Sequence, residues 1–421
     1  MDALEFSVIL AGAEMADKKS KWVKAEDVQG LKYLPALQQL LRRLHEDGCA
    51  RDRAGNRKLH YDEYCLLVLL YLFSPVVSSL RSIVQVSSLA KVQKQLGCSR
   101  AALGSLSEAT SVFDAQRLLE IIPELANSLQ PVGRDARLQD LRHTLTLVDG
   151  TVLQALPRLA EAALLKRTTG SGLVKWRLHT HFEVDRLVPV RMDLTEGSGK
   201  GAADERSVLE SCLQADRTYV MDRGYAKFEL FNRIQAVGSS YVCRIRDNSQ
   251  FQPLATRPLT ADDEAAGILS DQVVHLGSPT STHSACMDHP VRIVMVRVKP
   301  HPKRGKTGGG SAGHPSDGVL RIVTNLMDVP ASMIALIYQY RWTIEIFFRF
   351  FKHVLGCRHL ISHDENGIRI QTYCAIIACL VISLWSGRKP TLRTYEMICY
   401  YFSGLASEEE LLAHLNTLRS P

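Results

Sequence analysis

The alternation of polar and apolar residues changes character along this chain. From residue 28 to about 130, apolar residues recur at intervals of three and four, the period of a helix. LKYLPALQQLLRRLHEDG follows that pattern and stops at Gly48, and YDEYCLLVLLYLF is apolar almost all round, which predicts a helix buried on every side. VSSLAKVQKQLGCSRAALGSLSEAT reads as short helices broken at Gly97 and Gly104, with a capping box from Ser105 to Glu108. Within it, AKVQKQLGCSRAALGSL has the layout of a helix-turn-helix, with Gly97 in the turn and Arg100 near the second helix start. Short amphipathic helices around a glycine also occur with no DNA partner, so the pair alone does not assign a role.

From about residue 143 the period drops to two. HTLTLVDG is a short β-rich run ending in Asp149, and VKWRLHTHFEVD and LVPVRMDLTEG alternate around Asp185 and Arg186 as a hairpin. ADERSVLESCL is helical, RTYVMD is a strand ending in Asp222, AKFELFNRIQAVG is a helix and SSYVCRIRD a further strand. This order predicts an α/β core. Residues 247 to 318 interrupt it with a polar stretch, the strand VRIVMVRV and the loop KPHPKRGKTGGGSAGHPSDG, flexible by composition. The Gly-Lys-Thr at 305 to 307 is not a phosphate loop, because the first glycine of that motif would fall at Pro300. Lys303, Arg304 and Lys306 could touch DNA nonspecifically or simply keep the loop soluble. GVLRIVTNL then reads as a strand, and helical segments finish the chain, including an apolar one with Ile376 to Trp385 and SEEELLAHLNTL.

Composition narrows the classes. The chain has 421 residues, 46% hydrophobic and 23% charged, which excludes global disorder and predicts two or three domains. A formal charge of +7 is compatible with nucleic acid without demanding it. The ten cysteines include no C-x-x-C pair, which favours a reduced cytoplasmic protein. His283, Cys286 and His289 have ligand types for zinc, but no second cluster completes a site. The N-terminus, acidic at position two, does not read as a signal peptide, and the apolar run Tyr373 to Trp385 falls short of the ~20 residues that span a bilayer. No membrane role is expected.

The chemistry concentrates in YQYRWTIEIFFRFFK. As one helix turning about 100° per residue, it would place Tyr338, Arg341, Glu345 and Lys352 within an arc of roughly 60°. The remaining side chains, Ile344, Ile346, Phe347, Phe348, Phe350 and Phe351, predict burial of most of the helix. A carboxylate between cations on the one polar stripe needs partners, and a metal ion and phosphates would supply them. Ordinary surface salt bridges at Arg341/Glu345 and Glu345/Arg349 are the plainer alternative. Asp149 and Asp222 each end a short strand beside a glycine, Gly150 and Gly224, and could join Glu345 at one sheet edge. Three converging carboxylates repel unless hard divalent cations, magnesium or manganese, neutralise them. Asp140, Asp185 and Asp193 compete for the same role.

With Tyr338, Arg341, Glu345 and Lys352 in place, LVDGT and DRGY in order before them, and TNL ahead of the helix, the chain resembles the DDE-type bacterial insertion-sequence transposases of the group with a Y-x2-R-x3-E-x6-K signature (the IS-four family). The resemblance covers roughly residues 140 to 365 well and the N-terminal helices more loosely. It implies a ribonuclease-H-like catalytic core interrupted by a mostly β insertion, with a helical N-terminal DNA-binding domain and a helical C-terminal region. The corresponding ranges are 1–135 for the N-terminal domain, 140–246 and 319–365 for the core, 247–318 for the insertion and 366–421 for the C-terminal region. It implies that Asp149, Asp222 and Glu345 bind two Mg2+ ions, for which Mn2+ can substitute, and are the catalytic residues. Tyr338, Arg341 and Lys352 would hold phosphates, with Arg223 a further DNA contact. The implied activity is cut-and-paste transposition: nicking of the element end, a hairpin intermediate, and transfer of the 3′-hydroxyl into target DNA. The implied partners are the terminal inverted repeats, target DNA and a second protomer in a homodimer, in a bacterial cytoplasm and at the nucleoid when DNA is bound.

One departure stands out. Related enzymes use a tryptophan of the β insertion for a flipped base, and residues 247 to 318 contain none. Trp342, Tyr241 and Phe251 have no better claim from sequence. A magnesium-dependent nuclease of the same fold without strand transfer, and a non-catalytic DNA-binding regulator derived from a transposase, are the alternative functions.

Overall fold

The computed structural model describes residues 38–47, 56–129, 135–154, 175–196, 201–277, 287–298, 318–356, 361–362, 365–387, 391–403 and 405–419. Among the described residues, a 3-10 turn at Arg42–Leu44 is followed by α1 (Tyr61–Phe73), α2 (Leu80–Ser87), α3 (Ala90–Leu96), α4 (Leu103–Val112) and α5 (Gln116–Asn127). The strands β1 (Thr144–Gln154), β2 (Lys175–Glu183) and β3 (Val188–Glu196) follow, then α6 (Glu205–Ser211), β4 (Arg217–Met221), α7 (Phe228–Ala236) and β5 (Ser240–Arg244). Next come β6 (Phe251–Thr256), α8 (Ala261–Ala265), β7 (Ile268–Leu276), β8 (Val291–Arg297) and β9 (Val319–Thr324). The helices α9 (Ala331–Gln339), α10 (Trp342–Gly356), α11 (Glu365–Ser386), α12 (Leu392–Phe402) and α13 (Glu408–Arg419) complete the chain.

The nine strands among the described residues form one sheet, ordered β3-β2-β1-β4-β5-β9-β8-β7-β6. β1 to β3 are antiparallel neighbours, β4 and β5 run parallel to β1, and β9 returns antiparallel to β5. The strands of segment 247–318 therefore continue the same sheet through β8 and β9. Its two faces have different coverings, and strand alternation sorts residues between them. Leu147, Val220, Val242 and Ile322 belong to a large core shared with the N-terminal and C-terminal helices. Their neighbours Val148, Met221, Cys243 and Val323 belong to a second core under α6 and α7.

α1 confirms the reading of its sequence: every residue except Glu63 is buried. α11 lies against α1, α5 and α10. Its window Glu365–Leu384 is long and apolar enough to cross a membrane, yet 89% of it is buried inside the fold. Gly97 ends α3 in the left-handed region at φ +62°, as a helix stop requires. The expected capping box does not form. α4 starts two residues before Ser105, because its first turn already closes when Leu106 N–H donates to the Ala102 carbonyl at 3.0 Å. Gly104 consequently lies inside that helix instead of breaking it. The start of LKYLPALQQLLRRLHEDG and its Gly48, His283 and Cys286, and the basic loop with Lys303, Arg304 and Lys306 lie outside the described residues.

Candidate active site

β1 does not end at Asp149. It pairs with β4 only as far as Leu147, opposite Val220, whereas its pairing with β2 continues to Gln154. Asp149 therefore stands in mid-strand, opposite Thr180, at the point where β4 has already turned away. Its side chain shares the face of Leu147, the face on which α10 packs through Phe347 against Phe182, ring centroids 5.3 Å apart. Asp222 does follow its strand directly. It caps the single 3-10 turn Arg223–Tyr225, its carboxylate accepting from Gly224 N–H at 2.7 Å. A Cβ on Gly224 would stand 3.0 Å from that oxygen, which makes glycine the residue that leaves the carboxylate room.

The signature residues do not share one helix. α9 ends at Gln339 and α10 begins at Trp342, with a tight turn between them in which Arg341 N–H bonds Tyr338 O at 3.1 Å and Thr343 N–H bonds Tyr340 O at 2.8 Å. Two anchors fix this break. Tyr340 donates its hydroxyl to Asp135 at 2.8 Å, and Arg341 turns toward the sheet. Arg341 then lies between two acids, 3.6 Å from Asp149 and 2.7 Å from Glu345. Its guanidinium also lies 6.0 Å from the Tyr338 ring centre and 5.6 Å from that of Trp342. Such aromatic walls favour a cation electrostatically.

Burial divides α10 much as the pattern suggests. Ile344, Phe347, Phe348, Phe350 and Phe351 are buried, whereas Ile346 is 43% exposed and Trp342 57% exposed. Lys352 is exposed and stands seven residues beyond Glu345, about 10 Å further along the axis, so it borders the acids instead of touching them. Arg223 is exposed beside Asp222. Asp140 is exposed before β1, Asp185 sits in the β2–β3 turn, and Asp193 is bound to Arg191 at 2.7 Å. None of these three enters the group. Tyr241 is fully buried and stacked on Phe231 at 4.4 Å, and Phe251 packs on the second core. His289 bonds Tyr241 and Asp288.

The electrostatics follow from crowding. Burial pushes the Asp149 carboxyl up to about 7; the Gly150 N–H and Arg341 oppose this, while Asp222 and Glu205 add to it. Burial likewise pushes Tyr338 up to about 12, against the lowering influence of Arg341. Asp222 makes no ion pair among the described residues. Glu205, at the start of α6, was not singled out by the sequence, since an acid in a first helical turn is ordinary helix chemistry. It binds Arg177 of β2 and stands close against Gly150. Hard carboxylate oxygens, one raised by burial and by like charges, suit a divalent cation. Among the described residues no three His, Cys, Asp or Glu side chains are already close enough to hold one, and Arg341 stands between Asp149 and Glu345.

Comparison with known proteins gives the family of this chain. The profile of the family described as "Transposase DDE domain" matches residues 140–381. The chain is 23% identical over 210 residues to "Putative transposase y4zB" of Sinorhizobium fredii, covering 49% of this chain and 52% of that one. It is 27% identical over 207 residues to "Probable transposase for insertion sequence element IS5377" of Geobacillus stearothermophilus, covering 49% and 48%. The chain thus spans about half the length of these curated relatives. Among solved structures, the piggyBac transposase synaptic complex with hairpin DNA aligns over 91% of this chain and 78% of its own, at 10% identity and a TM-score of 0.40, a likeness that says nothing of chemistry. The family match spans more than half of the chain and contains all three acidic motifs and the sheet that presents them: the chain belongs to the DDE transposase domain family.

Proposed function

We propose that this chain is a transposase that cuts the ends of an insertion sequence and joins them to target DNA, with Asp149, Asp222 and Glu345 as its catalytic carboxylates. The observation that carries the reading is the shared guanidinium: Arg341 joins Asp149 of the sheet to Glu345 of α10, so acids far apart in sequence meet at one edge. The order β3-β2-β1-β4-β5, antiparallel then parallel, supports a ribonuclease-H-like core. A divalent pair, Mg2+ or Mn2+, would supply activation of the attacking oxygen and stabilisation of the leaving one. Asp149, Asp222 and Glu345 would hold it, with Arg341 released from the acids toward a DNA phosphate. Tyr338, walled by Arg341, would orient the same phosphate, and Lys352 and Arg223 would hold the backbone on either side. The freed 3′-hydroxyl then serves as the nucleophile, by way of a hairpin at the element end, in a homodimer that pairs two ends. The helix pair α3–α4, with its left-handed Gly97, is the candidate for end recognition.

The test is cleavage of DNA carrying the element's ends, with Mg2+, by the intact protein and by Glu345→Ala. Specific nicks and joined products that vanish in the variant are expected. Cleavage without joining favours a nuclease of the same fold. Equal activity in both proteins removes Glu345 from the site.

A further inference from the structure

The sheet edge that carries Asp149 is also approached from its other face. α6 packs there, started by Asp204, whose carboxylate accepts from Arg206 N–H at 2.9 Å. Its first residue, Glu205, reaches β1 at Gly150. A Cβ built on Gly150 would stand 2.5 Å from Glu205 Oε1, so the carboxylate fills the space that any side chain at 150 would need. Glycine beside Asp149 thereby opens the strand to a second acid, one residue from the first. Arg177, opposite Val152 in register, pairs with Glu205 much as Arg341 pairs with Asp149 and Glu345.

A second feature lies in the core under α6. Tyr225, three residues after Asp222, is 1% exposed, and its hydroxyl has no hydrogen-bond partner among the described residues. Glu205, Asp149 and Asp222 are the carboxylates whose charge it feels. A buried donor without an acceptor costs about 1–3 kcal/mol, so this phenol, within the electrostatic reach of three acids, marks a polar site that is incomplete as it stands. Against four carboxylates, Asp149, Asp222, Glu345 and Glu205, the cations in ion pairs with them are Arg341 and Arg177.

We propose that Glu205 is a fourth carboxylate of the Asp149–Asp222–Glu345 site and helps to hold its divalent cations, an inference that rests on the metal-centre reading above. Arg177 neutralises Glu205 in this structure; Glu205 would turn to a bound cation, and Tyr225 would donate to one of the carboxylates. The plainer role, an ion pair that merely pins α6 to β2, makes different predictions.

The experiment is a Mn2+ titration of the full chain, followed by the electron paramagnetic resonance of free Mn2+, with melting temperature recorded for each variant. Glu205→Gln keeps a hydrogen bond to Arg177 and is expected to weaken Mn2+ binding at least about tenfold with little change in melting. Gly150→Ala pushes the carboxylate aside and is expected to act in the same direction, which decides the matter should Glu205→Gln not fold. Arg177→Met frees Glu205 and is expected to bind Mn2+ at least as well as the parent. Wild-type binding in both Glu205→Gln and Gly150→Ala, with binding lost in Asp149→Asn, overturns the role of Glu205 and leaves the three-acid site standing. Undiminished binding in Asp149→Asn as well removes the metal site, and this proposal with it.

Discussion

Asp149 is the residue where the fold works against its own stability. Its carboxyl is raised from 3.8 to about 7, chiefly by burial. Between those values the folded protein keeps a proton that the unfolded chain has released. Stability therefore falls as pH rises through that window, and the penalty is complete above pH 7. Asp149→Asn removes the penalty. Scanning calorimetry without divalent cations is expected to show the variant melting a few degrees above the parent at pH 8 and level with it near pH 4. His179 and His181, lowered to about 4 by burial, act with the opposite sign below their ordinary range. They are common to both proteins and cancel in the comparison. A parent more stable than the variant at pH 8 would mean that Arg341 over-compensates the burial of Asp149.

At the scale of elements, the position of α9 and α10 depends on a buried ion pair in the neighbouring strands. Arg292 of β8 is 1% exposed and bonds Asp271 of β7 at 2.7 Å. The same guanidinium donates to the carbonyls of Leu326 at 3.2 Å and Val329 at 2.5 Å, in the segment leading from β9 into α9. The strands of segment 247–318 thus hold the start of the helix pair that presents Tyr338, Arg341 and Glu345. Asp271→Ala leaves a buried guanidinium without its carboxylate and is expected to cost about 3–5 kcal/mol in urea denaturation. A loss below about 1 kcal/mol would mean that the Asp271 carboxylate contributes little to this order and that the two carbonyls suffice for Arg292.

On the scale of the whole molecule, one hydrophobic core runs from Leu40 and α1 through the sheet residues Leu145, Leu147 and Leu178 to Leu415 in α13. α1 touches α11, and Tyr395 of α12 donates to Leu72 O at 2.8 Å. The N-terminal helices are therefore part of the cover over the sheet and α11. Removing residues 1–135 would expose the apolar face of α11, where Ile376, Ile377 and Leu380 are fully buried. The shortened chain is expected to aggregate on expression, whereas the full chain is expected to unfold in one calorimetric transition through this shared core. A soluble, well-folded product from residue 136 onward would contradict that.

What the sequence determined by itself is what short-range periodicity and motif order can encode. The nearly all-apolar run at 61–73 is a buried helix, the alternation after 143 gives strands, and the run around Ile376 is a core helix because almost no polar face is left for water. The acidic motifs were legible as candidates because each has a recognisable local sequence: a β-rich run before Asp149, a glycine turn after Asp222, an apolar helix around Glu345. Tertiary structure decided the rest. Asp149 is mid-strand because β2 continues the pairing that β4 abandons, and no local signal says which neighbour a strand will have. The break at Tyr340 and Arg341 arises from Asp135, Asp149 and Glu345, two of which are remote in sequence. Glu205 meets Gly150 only because α6 crosses the opposite face, a contact fixed by packing between elements whose local sequences carry no trace of one another.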